Sequence, residues 1–519
     1  MSKKTIYKDF FILEENREEF ENICMDAIKL ANNFKLDLMK KPLVNYKEQE
    51  FIKNQIFEDF PRDPSDLKTV LNEYKNKILD GSVNWSSPSF LAFPDSNNSM
   101  ATTIGHILQG MTSQNLCNSL HTSPTATIVE IQIIKWLREL LGFEVKKNIE
   151  TVFDIGGVYA SGGVLSNTIG LLLARERKFK ETMKKGITFD VSKVKVFLPE
   201  SIGHYSSKCA AGWLGLGLDC IKLVKTNNNF CYDLDVLEYE LEKTVQNNEI
   251  PLAIIAYAGD SRTMSIDNFE MIYKLSKKYD AWFHIDACHG SALIFSKKYK
   301  HLINGINLAD SVTLDPHKIF WMPYNLSYIL IKNPENFKLI SGSSDLITNE
   351  PLSMGQISPF IGSWGFHSLK LWFLFKNMGM KNIQKFIDYR TDKAKELSNK
   401  ISNMKDFYVF NDVTMNSIIF MYIPKPFFKK IKNNDTFAIQ ELNTLNKSIR
   451  EILFKDKSIF VHTFPLKDYK RVSGVDIKTE LQMLRIIISN PLFNEITENK
   501  VLETIKEVAE NEYKKRFKT

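Results

Sequence analysis

Through the middle of this 519-residue chain, short apolar runs alternate with longer stretches that mix apolar and charged residues at helical spacing. Val194-Lys-Val-Phe-Leu198 and Ala281-Trp-Phe-His-Ile-Asp-Ala287 are runs of strand length. Thr168-Ile-Gly-Leu-Leu-Leu-Ala-Arg-Glu-Arg177 reads as a helix opened by a glycine turn. Such alternation over residues 86–375 predicts a parallel sheet covered by helices, with ligand chemistry where strands hand over to helices. Within 281–287 the period of two puts Trp282, His284 and Asp286 on one face, opposite Phe283, Ile285 and Ala287. Residues 1–85 carry an apolar stripe at helical spacing, as in Glu18-Glu-Phe-Glu-Asn-Ile-Cys-Met-Asp-Ala-Ile-Lys-Leu-Ala31, broken at Pro61-Arg-Asp-Pro64. A thin helical arm of this kind cannot bury its stripe alone. Residues 376–519, with the strand-like Asn416-Ser-Ile-Ile-Phe-Met-Tyr422 and a helix from about Glu498 to Glu512, predict a small α+β domain closing over the cleft. There is no internal repeat.

Composition narrows the class. A chain of this length with 44% hydrophobic residues buries a large core and divides into more than one domain. The net charge of +7 (68 basic minus 61 acidic) is spread along the chain. Its lysine runs, such as Lys429-Lys-Ile-Lys432, are short, which fits a solvated face better than a nucleic-acid groove. Six cysteines without CxxC spacing read as reduced thiols of a cytoplasmic protein, and no metal site is expected. Met1-Ser-Lys-Lys-Thr5 leads into no signal-like segment and no uncharged run reaches bilayer length, so no membrane association is expected.

The candidate chemistry lies in four places. Asp286 ends one apolar strand, and Lys318 of Asp315-Pro-His-Lys-Ile319 follows the next. Alone, the first is most often a loop carboxylate and the second a surface lysine. Together they are the pair a pyridoxal phosphate (PLP) enzyme needs: an amine to form a Schiff base, and a carboxylate to keep the pyridine nitrogen protonated. Upstream, Ala160-Ser-Gly-Gly-Val-Leu-Ser-Asn167 offers free N–H groups at a helix start, suited to a phosphate, although Gly-Gly before a helix is more often only a turn. Gly203-His204-Tyr205-Ser206 supplies an imidazole that can lie over a ring, where a lone histidine is more often structural.

From about residue 85 to the C-terminus these pieces are collinear with the group II PLP-dependent amino-acid decarboxylases, the glutamate, cysteine sulfinate, aromatic amino-acid and bacterial tyrosine decarboxylases. Phe90-Leu-Ala-Phe-Pro94 resembles the family's entry segment, and Thr122-Ser-Pro-Thr-Ala-Thr127, ending at Glu130, its SPAxTxLE element. Ser161-Gly-Gly-Val-Leu-Ser-Asn167 is similar to the glutamate and cysteine sulfinate branch. Ser311-Val-Thr-Leu-Asp-Pro-His-Lys318, continuing to Met322-Pro-Tyr324, looks like the bacterial tyrosine branch, and Leu484-Arg-Ile-Ile-Ile-Ser-Asn-Pro491 resembles the small-domain strand.

The resemblance implies an α/β large domain of the aspartate-aminotransferase-like type (fold type I), a small α+β C-terminal domain, an N-terminal arm wrapped around the partner of a homodimer, and PLP as cofactor. It makes Lys318 the Schiff-base lysine, Asp286 the pyridinium partner and His204 the stacked imidazole. Gly163, Val164 and Asn167 would lie at the phosphate with His317 nearby, and Ala287 under the ring. Gly362 and Ser363, in the segment before Leu369-Lys-Leu-Trp372, would reach a phosphate across the dimer. Where the family has a threonine near the phenolic oxygen this chain has Asp260, with Ser261 next, and an acceptor-only carboxylate beside a phenolate would repel it. Phe93, Asp95, Asn97, Asn98, His121 and Tyr324 are candidate substrate contacts, and the substrate stays open among acidic, aromatic and small aliphatic amino acids. The implied reaction is loss of CO2 from an L-amino acid to give the amine. One alternative is oxidative deamination to an aldehyde, because the family's mobile-loop tyrosine has no counterpart between Tyr328 and Leu369, where Ser341–Gln356 offers Ser, Thr and Glu. The other is a non-catalytic binding protein, for which the Asp286 and Lys318 pair has no use.

Overall fold

The computed structural model describes residues 10–36, 41–201, 204–342, 344, 350–476 and 478–517; Met1-Ser-Lys-Lys-Thr5, Gly203 and the 345–349 stretch of the 341–356 loop lie outside them. Seven strands form the central sheet: β1 (Gly157–Ala160), β2 (Val194–Pro199), β3 (Ile221–Val224), β4 (Ile250–Tyr257), β5 (Trp282–Asp286), β6 (Ser311–Leu314) and β7 (Ser327–Ile331). Their order is β1-β7-β6-β5-β4-β2-β3. The pairs from β3 to β6 are parallel, whereas β7 runs antiparallel to both β6 and β1, so the sheet is mixed. The reason lies between β6 and β7. A parallel return needs a crossover long enough to span the sheet, and this connection carries one helical turn, Pro316–Ile319. Because β1 is antiparallel to β7, it again points the same way as β6. The carboxyl ends of β1, β2, β4, β5 and β6 therefore share one edge, where open α/β sheets hold ligands.

Apart from the edge strand β3, the strands are buried along nearly their whole length, so they read as apolar runs rather than alternating ones. The largest core packs on both faces of this sheet. A second sheet, in the order β10-β11-β9-β8, is antiparallel: β8 (Phe407–Val409), β9 (Ser417–Tyr422), β10 (His462–Lys467) and β11 (Glu480–Ile487). Its period of two divides two cores. Ile418, Phe420, Leu484 and Ile486 pack with Leu445, Ile449, Val501 and Ile505 of the helices Thr436–Lys455 and Glu495–Phe517. Ile419, Met421, Leu481 and Met483 pack on the other side with Phe427 and Leu442. Helix Leu369–Ser402 joins the sheets and breaks at Gly379 (φ +60°), a backbone that a residue with a Cβ rarely adopts. The N-terminal helices Arg17–Lys35, Gln49–Ile56 and Leu67–Glu73 bury no residue within the chain. Among the described residues no helix is long and apolar enough to cross a membrane.

Candidate active site

Three of the shared strand ends deliver functional side chains into one cavity of about 630 Å³. Strand β5 ends at the buried Asp286, whose carboxylate accepts from Asn167 Nδ2 (2.7 Å) and from the Cys288 N–H (3.1 Å). After β6 the turn Pro316–Ile319 presents Lys318, whose Nζ pairs with the fully buried Asp315 Oδ2 at 2.7 Å. Burial opposes charge on Lys318, but Asp315, Cys288 and Asp286 more than offset it and hold the ammonium above its usual range. After β2 the chain reaches His204, whose ring caps the helix Tyr205–Trp213 by accepting from the Ser206 N–H (3.3 Å).

A chain of hydrogen bonds behind the cavity fixes these groups. Trp282 Nε1 donates to Ser311 Oγ (2.8 Å), and Ser311 Oγ lies 2.8 Å from His284 Nδ1. His284 Nε2 is 3.0 Å from Asn167 Oδ1, and Asn167 Nδ2 donates to both Asp286 and Ser206 Oγ (3.0 Å). Ser206 Oγ is 2.6 Å from His204 Nδ1. Because the Asn167 amide must donate to a carboxylate, its oxygen accepts from His284 Nε2–H, which leaves His284 Nδ1 to accept from Ser311. Burial lowers the His284 pKa to about 4, which keeps it in this neutral form. His204 is likewise depressed, first by burial, with Asp286 pulling the other way.

The helix Gly163–Lys178 begins at the cavity without a side-chain cap, so its first N–H groups face the cavity unspent. A Cβ on Gly163 would come within 2.8 Å of both Asp315 Oδ2 and Cys288 Sγ, so the cradle is open only because this residue is glycine. An open helix start, a buried carboxylate, a lysine and an imidazole around one cavity are the donor set PLP requires, and the residues present fit it.

The other expected residues divide. Val164, Asn167, Ser261 and His317 line the cavity with Gly163. The Asn167 side chain is spent on Asp286, Ser206 and His284 rather than left for a phosphate. His317 Nδ1 donates to the Leu326 carbonyl (2.7 Å), and Ala287 is fully buried with its N–H on Thr313 O. Asp260 does not line the cavity. Its carboxylate turns into its own loop, accepting from the N–H groups of Arg262 (2.7 Å), Thr263 (2.8 Å) and Ser265 (2.8 Å). Phe93 and Asp95 line the cavity, Asp95 with its pKa raised first by burial and Tyr324 as its hydrogen-bond partner. Tyr324, Asn97 and Asn98 line an adjoining cavity. His121 is exposed, 2.9 Å from Glu350, and Ser363 Oγ accepts from Asn115 (3.1 Å); neither these two nor Gly362 joins the cavity of their own chain.

Sequence reasoning missed part of the wall. Arg262, His289, His462, Phe464 and Arg485 all line the cavity. His289 is buried with Nδ1 unpartnered, its pKa held well below normal by burial and then by Lys318 and Arg485. Its place three residues after Asp286 and the Arg485 position inside Leu484–Pro491 were the available signals. His462 and Phe464 carry none, since they arrive from a different sheet.

The pyridoxal-dependent decarboxylase conserved domain matches residues 50–423. The aromatic-L-amino-acid decarboxylase of Bacillus atrophaeus is 25% identical over 456 residues, 85% of this chain and 88% of that protein. The aspartate 1-decarboxylase of Aliivibrio fischeri is 26% identical over 493 residues, 89% of this chain and 86% of that protein. The fold is that of the mouse CSAD crystal structure, with a TM-score of 0.84 at 20% identity, covering 95% of this chain and 99% of that one. The chain belongs to the pyridoxal-dependent decarboxylase family. It is a PLP-dependent carboxy-lyase that converts an amino acid to its amine and CO2.

Proposed function

We propose that Lys318, Asp286 and His204 carry this reaction, with Lys318 as the amine that bears the cofactor, and that the enzyme works as a cytoplasmic homodimer. The convergence of Lys318 and Asp286 in one cavity at the shared strand edge carries the reading. Bound there, PLP supplies an electron-withdrawing ring that weakens the bond from the substrate Cα to its carboxylate. Asp286, oriented by Asn167 and the Cys288 N–H, would face the ring nitrogen and hold a proton on it. His204, with Nδ1 occupied by Ser206, would stack its imidazole on the ring. Gly163 and Val164 offer the helix-start N–H groups to the phosphate dianion. Phe93, Asp95 and Tyr324 contact substrate, and His121, Gly362 and Ser363 serve the partner's cavity. Six free thiols support the cytoplasmic placement.

The test is a product balance alongside site variants. Lys318→Ala abolishes turnover and the near-visible absorbance of bound cofactor, while Asp286→Asn retains cofactor weakly and loses most activity. A Lys318→Ala enzyme running at near wild-type rate would sink the assignment. One observation favours a second outcome: residues 329–368 contain no tyrosine to return a proton to Cα. Stoichiometric amine supports decarboxylation, whereas aldehyde, ammonia and oxygen uptake would show the oxidative route.

A further inference from the structure

The cavity wall beside the four-stranded sheet carries charge that the cofactor roles leave unused. Arg262, on the loop after β4, is half-buried and lines the cavity. Its guanidinium makes one long hydrogen bond, Nη1 to Ser201 O at 3.3 Å, and lies 5.8 Å from the Phe464 ring centroid. Arg485 lies 5.4 Å from the same ring, anchored through Nη1 on Ser261 O and Nη2 on Ala92 O (2.9 Å). His462, two residues before Phe464, also lines the cavity. Its pKa falls to about 4, first through burial and then through Arg485, Arg450 and Arg262.

No carboxylate answers Arg262. Of the acids on the cavity wall, Asp286 accepts from Asn167 and Asp315 pairs with Lys318, while Asp95, its Oδ1 without a partner, lies in the field of His317 and Lys318 and makes no ion pair with Arg262. Asp260, which partly balances Arg485, is spent on its own loop. Among the described residues Arg262 forms no ion pair, and of its five N–H donors one, on Nη1, has a hydrogen-bond acceptor. Two guanidiniums and an apolar ring around one space are costly without an anion. A planar fork is also the best match to a carboxylate. The cofactor phosphate is the wrong anion for this position. The open helix start follows β1, and three strands, β7, β6 and β5, separate β1 from β4, from which Arg262 extends.

We propose that Arg262 sets the substrate class by binding the side-chain carboxylate of an acidic amino acid of the aspartate or glutamate type. The proposal rests on the decarboxylase reading above and adds the substrate to it. Amine and CO2 formation by the holoenzyme would be measured with L-aspartate, L-glutamate, L-tyrosine, L-phenylalanine and L-2,4-diaminobutyrate. Calorimetric titrations with succinate, glutarate, butyrate and putrescine would accompany them, all repeated for Arg262→Gln and Arg262→Lys. An acidic amino acid is expected to have the highest kcat/KM, and succinate or glutarate to bind where butyrate and putrescine do not. Arg262→Gln lowers both by roughly 10- to 100-fold, chiefly through KM, with the cofactor absorbance unchanged, and Arg262→Lys recovers part. Preference for an aromatic or diamino acid, absence of dicarboxylate binding, or an Arg262→Gln enzyme that loses cofactor but keeps its substrate ranking would overturn the proposal. An acidic substrate that yields aldehyde and ammonia would overturn the amine product while supporting the role of Arg262.

Discussion

At the scale of single residues the site depends on donors and acceptors that leave one another no choice. Asn167 is the pivot: its amide nitrogen holds Asp286 and Ser206, and its oxygen is held by His284. Asn167→Ala removes three bonds at once and frees Asp286 and the Ser206–His204 pair to reorient. Cofactor affinity is expected to fall by about 10-fold or more, read by fluorescence titration of PLP, and the urea midpoint of the apoprotein to fall with it, because buried groups lose their partners. An unchanged affinity would show that the chain behind the cavity does not orient Asp286. Glu130 gives a prediction in pH. Burial pushes its pKa up to about 7, with the Ser368 and Tyr328 hydroxyls pulling the other way. Between about pH 4.5 and 7 the folded chain keeps a proton that an unfolded glutamate has lost. Stability therefore falls as pH rises through that window, by on the order of 3 kcal/mol once Glu130 ionises. Asp267, buried with a pKa of about 7, acts with the same sign. The depressed histidines act with the opposite sign over the lower part of this window, so the test is a difference: the stability of wild type relative to Glu130→Gln should fall by on the order of 3 kcal/mol between pH 5 and pH 8, and a constant difference would assign no such role to Glu130.

Elements bring these residues together through strand direction. The antiparallel course of β7 restores β1 to the direction of β6, which places the start of helix Gly163–Lys178 at the same edge as Asp286 and Lys318. Gly163→Ala tests that approach. The added methyl meets Asp315 and Cys288 at 2.8 Å, so the helix start must retreat or the Lys318 loop must shift. Such overpacking costs about 1–3 kcal/mol and should lower PLP retention on dialysis, whereas the same change at Gly162, with open space around it, should be mild. The contrast also shows what the sequence makes legible. Short-range periodicity is enough to put Trp282, His284 and Asp286 on one face, and all three side chains enter the same hydrogen-bonded chain or its end. The direction of β7 is not legible locally, because pairing partners come from segments far apart in sequence. Nor is the orientation of Asp260, which turns on its loop N–H groups, nor the wall made by His462 and Phe464, which only tertiary packing carries to the cavity.

At the scale of the whole molecule, apolar faces are left open to solvent. Phe57 and Phe60 of the N-terminal segment are 76% and 84% exposed, and Met100, Ile104, Ile107 and Met111 leave one face of the helix Met100–Thr112 open to solvent. Apolar exposure of this kind is what the proposed homodimer would cover. His121, Gly362 and Ser363 sit away from the cavity of their own chain, and the proposed two-fold assembly would let them reach the partner's. If the proposed homodimer completes the phosphate site, oligomer and active site form one equilibrium, because the cofactor would then stabilise only the assembled form. A charge placed in the open face, as in Ile104→Glu, should shift the protein from dimer to monomer in analytical ultracentrifugation. PLP retention and turnover should be lost together and recover together at high protein concentration. Adding PLP should move the wild-type midpoint toward dimer at lower concentration. A wild-type monomer that holds PLP tightly and turns over in dilute solution would contradict the shared site, and the exposed apolar face would then need another occupant.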